Sequence, residues 1–388
     1  MTGPLTSLKV LDFSTLLPGP FASLLLADMG AEVLRVESPT RVDLVRMLPP
    51  HDQGVSASHA YLNRNKRCIA LDLKKPEAVE MVKQLVAEYD IVLEQFRPGV
   101  MDKLGLGYET LAGLNPRLVY CSISGYGHTG PYALRAGHDI NYIGYAGVLD
   151  QIGSAGAAPA LSNLQLGDLL GGTMTALFGI LVALVDARAC GKGRCVDVAM
   201  TDAVMAHAIF PLIEVLAQGQ VRARGEDLLT GAVPCYGVYR TADDRYMAVG
   251  ALEEKFWNLV CDTLERPDLK PFHLATGEVG ERAKARVGEI FGARTQAEWV
   301  AVFDAVDCCV TPVLTLQESL ENPQLQARGM ITEVGGVRQF GPVLRLSAMP
   351  ATAARPAPAV AGADSDAVLS EVGFVQAELD RLRQAGII

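Results

Sequence analysis

The sequence lacks an excess of positive charge and the signature motifs of several large enzyme classes. Its 388 residues include 34 Lys and Arg against 44 Asp and Glu, a net charge of −10, which excludes the broad basic surface of a nonspecific nucleic-acid or anionic-membrane binder. Walker A, His-Glu-x-x-His and Gly-x-Ser-x-Gly patterns are absent, which disfavours P-loop NTPases, zinc peptidases and α/β-hydrolases. With 49% hydrophobic and 20% charged residues, the chain has the composition of a folded globule.

The eight cysteines form no Cys-x-x-Cys pair and have no histidine at zinc-binding spacing. We therefore expect buried, reduced thiols and no metal site. The first ten residues, MTGPLTSLKV, lack a basic segment followed by an apolar run, so no secretory signal is visible and a cytoplasmic location is expected. The longest uncharged apolar stretch, 169–185, is short for a membrane span and predicts a buried core helix.

Short β-rich runs alternate with helix-like segments in the first third of the chain. Strands are predicted at 8–14, 31–37, 68–73, 90–96 and 117–124. Pro20 suits the first turn of the helix that follows the first strand, and Gly30 suits its end. Repeated alternation of this kind predicts a mostly parallel sheet with helices on both faces.

The pattern changes in the second half of the chain. Residues 167–218 are apolar with a helical period, and from 231 two strand-like runs joined at 242–245 predict a hairpin. We expect a large domain whose first part spans 1–186, a helical linker over 187–230 and a small α+β domain over 231–310. Residues 311–388 would supply a return linker and the rest of the large domain.

One motif is misleading at first sight. Residues 125–130, GYGHTG, match Gly-x-Gly-x-x-Gly directly after a predicted strand. In dinucleotide-binding folds the third glycine packs within a helix, whereas here Pro131 follows at once and a turn-rich segment continues to Gly137. The sequence therefore disfavours a nicotinamide or flavin site.

Three other segments place acid/base side chains among glycines and hydrogen-bonding groups. His138 lies in AGHDINY, Asp168 in LGDLLGG at the head of the long apolar stretch, and Glu253 in GALEEKF after a predicted strand. Each also has an ordinary structural interpretation, as a turn residue, a helix N-cap and a surface acid. Taken singly, none of the three identifies a reaction.

Taken together and in this order, the segments resemble the family III CoA-transferase superfamily, and within it the α-methylacyl-CoA racemases. The resemblance also includes PGPFASLLLADMGAEVLRVE, NKRCIALDLK, FRPGV, SGYGHTGP and GKGRCVDVAMTDA, and it covers nearly the whole chain. It implies a large Rossmann-like, doubly wound α/β domain built from both chain ends and a small α+β domain. It also implies a homodimer of two interlocked subunits.

The resemblance implies racemisation or epimerisation of 2-methylacyl-CoA thioesters by 1,1-proton transfer through an enolate. His138 and Asp168 would be the acid/bases on the two faces of the α-carbon, and the partner subunit's Glu253 would orient the histidine. Backbone N–H groups around Asp139 would stabilise the enolate. Coenzyme A is then part of the substrate, and no separate cofactor or metal is expected.

Two alternatives stay open. Asp168 also occupies the position of the nucleophile of a family III CoA-transferase, which forms an aspartyl mixed anhydride. His138 favours the racemase, because the transferases usually lack a histidine there and need no second base. A non-catalytic acyl-CoA-binding protein is disfavoured because all three acid/base positions hold competent side chains.

The resemblance also implies an acyl-CoA site lined by LDLK, FRPGV and AGHDINY, with cations against the CoA phosphates. Arg64, Lys66 and Arg67 would belong to this basic set. Ser38 stands where racemases often carry an arginine, which leaves Arg35 or Arg41 as substitutes, and His128 is expected to be structural. The implied substrate-binding residues are Leu71, Asp72, Leu73, Lys74, Arg97, Ala136, Gly137, Asp139, Ile140, Asn141 and Tyr142.

Overall fold

The computed structural model describes residues 3–52, 54–347 and 354–388. Strands and helices alternate along most of this length. The strands are β1 (Lys9–Asp12), β2 (Glu32–Glu37), β3 (His51–Asp52), β4 (Val55–Ser56), β5 (Lys66–Ala70), β6 (Ile91–Glu94), β7 (Val119–Ser124), β8 (Cys195–Ala199), β9 (Tyr236–Arg240), β10 (Tyr246–Gly250), β11 (Val310–Pro312), β12 (Ile331–Val334) and β13 (Val337–Phe340).

The helices differ widely in length, and one of them is preceded by a π-helical segment, Gly167–Met174, that runs directly into α7. The α-helices are α1 (Pro18–Asp28), α2 (Ala57–Leu62), α3 (Pro76–Val86), α4 (Val100–Lys103), α5 (Tyr108–Leu114), α6 (Asp139–Tyr145), α7 (Thr175–Cys190), α8 (Met200–His207), α9 (Ile209–Gln218), α10 (Glu254–Thr263), α11 (Gly277–Phe291), α12 (Gln296–Phe303), α13 (Leu316–Leu320), α14 (Pro323–Ala327), α15 (Ser365–Glu371) and α16 (Gln376–Gln384).

Six strands form one sheet in the order β5-β2-β1-β6-β7-β8, and every pairing in it is parallel. Val10 of β1 lies opposite both Val33 of β2 and Ile91 of β6. Numbered along the chain, this is the order 3-2-1-4-5-6 of doubly wound sheets. Ligands of such sheets bind at the carboxyl ends of the strands where the order reverses, here between β1 and β6. The predicted parallel sheet is confirmed.

Both faces of this sheet are covered, because alternate residues of a strand point to opposite sides. Leu11 and Leu34 pack on one side with Leu369 of α15, and Val10 and Val33 pack on the other side with α1 and α7. The amide of Asp72 also donates to Ile387 O at 2.8 Å. Segments from both chain ends therefore complete one core.

The sequence interpretation of 167–218 as helical throughout is wrong at Cys195–Ala199, which forms β8. This strand lies at the edge of the sheet and pairs only with β7. An edge strand buries fewer side chains than a central one, and Val198 is its one buried residue. The sequence pattern of this short edge strand is therefore weak, and it is not distinguished from the apolar helices α7 and α8 on either side.

The described chain groups into two units, and the second consists of 147–161 and Ile209–Leu325. Within it β9, β10 and β11 form an antiparallel sheet, and the predicted hairpin joins β9 to β10. Trp257 and Phe291 pack in its core. The first unit holds the parallel sheet, Ser162–Ala208 and the residues from Gln326 onward. The domain boundaries drawn from the sequence stay predictions, although 187–208 groups with the first unit.

All eight cysteines are free thiols. Five are buried, but Cys190, Cys195 and Cys309 are exposed, so the expectation of uniformly buried thiols is wrong for these three. Cys195 is exposed because it begins the edge strand β8. Within 3–52, 54–347 and 354–388, no three His, Cys, Asp or Glu side chains are grouped so that they could hold a metal ion.

One continuous helix of the described residues, Gly167–Cys190, is long and apolar enough to cross a membrane by length and composition. One side of it, including Ala176, Ile180 and Leu184, is buried in the core beside the parallel sheet. The other side exposes Phe178 and Val185, so the predicted core helix is buried on one side only.

Candidate active site

His138 follows the loop that leaves the carboxyl end of β7. The loop is fixed by Tyr142, whose hydroxyl donates to Gly137 O at 2.6 Å. A Cβ at Gly137 would lie 2.6 Å from Tyr142 Cε1, and one at Gly125 would overlap the same ring, so both positions require glycine. The His138 side chain is exposed. Its ring is therefore available to a ligand.

The helix α6 begins directly after His138. Asn141 Oδ1 accepts the backbone N–H of His138 at 3.0 Å, which fixes the turn into the helix. The next two N–H groups, of Asp139 and Ile140, have no acceptor among the described residues, as is usual in a first helical turn. Two backbone donors therefore lie beside the imidazole.

Asp168 lies in the first turn of the π-helical segment. Close packing holds this segment in place: a Cβ at Gly171 would lie 2.6 Å from Met200 O, and one at Gly172 would lie 2.8 Å from Pro18 Cβ. Thr173 Oγ1 also donates to Pro18 O at 2.7 Å. Helical turns of this wide type occur often at functional sites. Gly171 and Gly172 thus bring the helix against the carboxyl ends of the parallel strands.

The interpretation of Asp168 as a helix N-cap is wrong, because another residue supplies the cap. Asp139 Oδ1 accepts the backbone N–H of Gly167 at 2.6 Å and that of Asp168 at 3.2 Å. The side chain of Asp168 is left without a hydrogen bond from the described chain and is only partly exposed. It is a free carboxyl group next to the His138 segment.

The electrostatics of the site join these groups. Burial first, and then the negative charge of Asp139, raise the pKa of Asp168, while His138 opposes the rise, and the result is a pKa of about 6. Burial raises the pKa of Tyr142 to about 12, with Asp168 adding to the rise and Arg97 opposing it. His138 and Asp168 therefore lie near enough for their charges to interact, and Arg97 lies near enough to affect Tyr142. A carboxyl with a pKa of about 6 gains or loses its proton close to neutral pH.

Two of the basic residues expected at the CoA phosphates are free. Arg97 follows β6 and is exposed, and Lys74 is exposed in the turn after β5. Neither has an ion pair with another described residue. Asp72 Oδ1 accepts the Lys74 backbone N–H at 3.2 Å, and Leu71 is buried with its N–H on Glu37 O. Both cations can meet an anionic ligand.

The expected contribution of Arg64 and Lys66 to a phosphate-binding set is contradicted, and that of Arg67 stays a prediction. Arg64 forms a two-point ion pair with Asp28, at 3.0 and 2.6 Å. Lys66 is fully buried, and its Nζ donates to Pro20 O at 2.8 Å. Arg67 forms hydrogen bonds with Glu371 at 2.8 Å. Buried charges require partners within the protein, and Arg64 and Lys66 already have them, whereas the pair of Arg67 with Glu371 lies at the surface.

Arg35 is also excluded as a substitute for the missing arginine at Ser38. It is buried, donates to Glu37 at 2.7 Å and pairs with Asp43. Arg41 remains exposed, and its backbone N–H donates to Ser38 Oγ at 3.1 Å. Of the two substitutes, Arg41 alone is accessible.

Glu253 lies in the second unit, at the residue before α10. Its side chain is exposed and has no hydrogen bond from the described chain. The two other predicted acid/bases belong to the first unit. An assignment of Glu253 to their site therefore stays a prediction.

A buried acid that the sequence analysis does not single out lies at the end of β6. Burial raises the pKa of Glu94 to about 7, and hydrogen bonds from Ser122 and from the Phe96 backbone oppose the rise. Ser122 Oγ lies 2.7 Å from His128 Nε2, and the His128 backbone N–H donates to Asp197 at 3.1 Å. His128 is thus tied to two neighbours, as expected of a structural residue. In the sequence, Glu94 ends an apolar strand and resembles any strand-terminal acid.

The chain is similar to known proteins over nearly its whole length. The family model for CoA-transferase family III matches residues 5–365. The chain is 36% identical to the α-methylacyl-CoA racemase of Homo sapiens, over 99% of this chain and 97% of the other. It is 31% identical to the human succinyl-CoA:glutarate CoA-transferase, over 99% and 90%. A CAIB/BAIF family protein from Brucella suis has a similar structure, with a TM-score of 0.84 at 29% identity over 96% of this chain and 100% of that one.

Proposed function

This chain belongs to CoA-transferase family III and is an enzyme of its transferase and racemase group, and on that premise we propose that it racemises or epimerises 2-methylacyl-CoA thioesters. The observation that carries the proposal is the pairing of an exposed imidazole, His138, with a half-buried carboxyl, Asp168, whose pKa of about 6 lies near neutrality. Inversion requires a proton acceptor on one face of the α-carbon and a donor on the other. An imidazole and a carboxyl group can each act as acid or base, so the two side chains can exchange these roles.

In one direction neutral His138 removes the α-proton, and the electron pair of the C–H bond moves into the thioester to form an enolate. Protonated Asp168 then gives its proton to the opposite face of the α-carbon, which restores the thioester with inverted configuration. The reverse direction begins with ionised Asp168 and protonated His138. The substrate thioester itself acidifies the α-proton, so the proposed mechanism uses no separate cofactor or metal ion.

The enolate oxygen carries the charge that develops in this reaction. We propose that it accepts hydrogen bonds from the free backbone N–H groups of Asp139 and Ile140. Donors held in place by a helix need no rearrangement when the charge forms, and such donors are effective in stabilising oxyanions. Arg97 and Lys74 would bind the CoA phosphates, since both are exposed and unpaired within the described chain.

We further propose a homodimer in which the partner subunit's Glu253 orients His138. In the first unit, α7 exposes Phe178, Val182 and Val185, with Phe178 and Val185 each 71% exposed. In the second unit, α9 exposes Phe210 and Leu216. Large apolar side chains that cluster on helices in this way commonly mark protein interfaces. Sedimentation equilibrium of the whole chain tests the dimer directly.

The racemase is tested by incubating (2R)-2-methyldecanoyl-CoA with the enzyme in deuterium oxide. We expect deuterium at the α-carbon together with inversion, measured by mass spectrometry and chiral chromatography. His138→Ala should lower the exchange rate by roughly 10²- to 10⁴-fold, the usual contribution of a general acid/base. His51→Ala, which removes an exposed histidine from β3, is the matched control and should leave the rate unchanged.

The second candidate is a CoA-transferase in which Asp168 attacks the thioester and forms an aspartyl mixed anhydride. It is favoured by the 31% identity to succinyl-CoA:glutarate CoA-transferase and by the free carboxyl of Asp168. Transfer of CoA to an added carboxylate, without α-deuterium and insensitive to His138→Ala, would replace the racemase by this activity.

A further inference from the structure

We infer that Asp139 is a positioning residue: its carboxylate, bound to the backbone N–H groups of Gly167 and Asp168, sets the separation of the His138 and Asp168 side chains. The inference rests on the proposed proton transfer between those two side chains. It assigns the Asp139 carboxylate to the protein backbone rather than to the substrate.

The connection is direct and spans a long stretch of chain. Asp139 Oδ1 accepts the Gly167 N–H at 2.6 Å across 28 residues and the Asp168 N–H at 3.2 Å across 29. Most of the intervening chain, 147–161, groups with the second unit. The covalent path between the two acid/bases therefore leaves the first unit and returns, and it cannot by itself fix their spacing. Within the described chain, these are the hydrogen bonds that join the His138 segment to the start of the long helix.

Packing at Gly167 supports the same role. A Cβ at this position would lie 3.0 Å from Asp139 Oδ1 and 3.4 Å from Asp139 O. The first of these distances is tighter than ordinary van der Waals contact, so a side chain at 167 would press on the carboxylate that caps the helix. The next turn of the helix is also closely packed, with Gly171 against Met200 O and Gly172 against Pro18 Cβ. With the helix so fixed, the Asp139 bonds determine where His138 lies relative to it.

The Asp139 charge has a second, separable effect. A carboxylate at a helix N-terminus is stabilised by the free N–H groups and the helix dipole. Its negative charge raises the pKa of Asp168 further than burial alone does. An asparagine at 139 keeps an oxygen that accepts the two N–H bonds but removes the charge, whereas an alanine removes both. Comparing the two substitutions separates position from charge.

The experiment measures kcat, KM and the pH profile of α-deuterium exchange for the (2R) and (2S) forms of 2-methyldecanoyl-CoA. We expect Asp139→Ala to lower kcat about a hundredfold for both enantiomers, because a displacement of about 1 Å has that effect, and to change KM less than about twofold. Asp139→Asn should stay within about threefold of the wild-type kcat, since Asn caps helices as well as Asp does. Its acid limb should move to lower pH, because the negative neighbour of Asp168 is gone.

Asp202→Asn is the matched control, because it removes an acid from the first turn of α8. Asp202 has no hydrogen bond to its side chain within the described chain, and the kinetic constants should not change. Gly167→Ala provides an independent variant, and we expect a smaller fall in kcat than in Asp139→Ala, because the carboxylate is displaced but not removed. Circular dichroism and the melting temperature show whether each variant is folded.

The inference is overturned if folded Asp139→Ala and Gly167→Ala both keep the wild-type kcat. It is also overturned if Asp139→Ala raises KM and leaves kcat unchanged, which would assign the carboxylate to substrate binding. Equal losses in Asp139→Asn and Asp139→Ala would assign the effect to charge rather than to position, and would likewise reject it. The proposed function fails separately, if wild-type enzyme shows no exchange or if His138→Ala and Asp168→Ala leave exchange intact.

Discussion

Two groups of charged residues in the first unit differ in how their charges are satisfied. In one group, around β2, β5 and α1, Arg35, Arg64 and Lys66 are buried and each contacts a carboxylate or carbonyl of the protein. In the other, at the carboxyl ends of the parallel strands, His138 and Arg97 are exposed and find no ion-pair partner among the described residues. Both groups contain basic side chains, but only those of the first group have partners within the described protein.

The difference distinguishes structural charges from those available to a ligand. A buried charge without a partner is costly, so the cations of the first group need partners in the folded domain. The second group remains hydrated in the free protein and can exchange water for substrate. The overall charge of −10 therefore does not conflict with binding an anionic thioester, because a few unpaired cations at one sheet edge suffice.

The largest effect on stability is expected from Asp28→Ala. This change leaves the guanidinium of Arg64 buried without its carboxylate, in a pair whose side chains are 2% and 1% exposed. Removing one member of such a pair lowers the free energy of unfolding by about 3–5 kcal/mol. Denaturant unfolding followed by circular dichroism measures it.

Glu371→Ala is the matched control for that prediction. It breaks the ion pair of Arg67 with Glu371, in which the glutamate side chain is 59% exposed, so the cost should be under about 1 kcal/mol. Equal costs for the two variants would show that the distinction between buried and exposed pairs does not hold in this domain.

The same contrast explains which features the sequence could predict. The strands at 8–14, 31–37, 68–73, 90–96 and 117–124 could be predicted because each is a local run of β-favouring residues between helix-like segments. His138 and Asp168 could be predicted because the family resemblance covers nearly the whole chain. The ion pair of Arg64 with Asp28 could not be predicted, because it joins residues 36 positions apart through tertiary packing. The cap that Asp139 provides to the helix at Gly167 was missed for the same reason, because the two residues are 28 positions apart.

A moderate effect, on binding alone, is expected from Arg97→Ala. If this exposed guanidinium contacts a CoA phosphate, its loss should weaken the binding of free coenzyme A by about tenfold or more, the usual range for a hydrogen bond to a charged group. The free energy of unfolding should not change, because Arg97 has no ion pair within the described chain. Isothermal titration calorimetry at low and high salt measures the affinity.

Arg117→Ala is its control, because this exposed arginine precedes β7 and so lies at the opposite edge of the sheet from Arg97. It should leave the affinity for coenzyme A unchanged. A loss of affinity shared equally by both variants would mean that the general field of the protein, and not a site at the carboxyl edge, attracts the ligand.

The smallest effect is expected on the free energy of unfolding when the proposed acid/base Asp168 is replaced. The pKa of Asp168 is raised to about 6 in the folded protein, above the ordinary value of about 3.9 for an unfolded chain. The folded state therefore holds this proton more tightly, and the carboxyl lowers the free energy of unfolding as the pH rises from about 4 to about 6. Asp168→Asn should raise that free energy by about 1 kcal/mol at pH 7.5, a figure reduced for solvent screening, and should have no effect near pH 3.5. Urea unfolding at the two pH values tests this, and a variant that is destabilised at pH 7.5 would show that the Asp168 charge helps to hold the fold, as the buried ion pairs do.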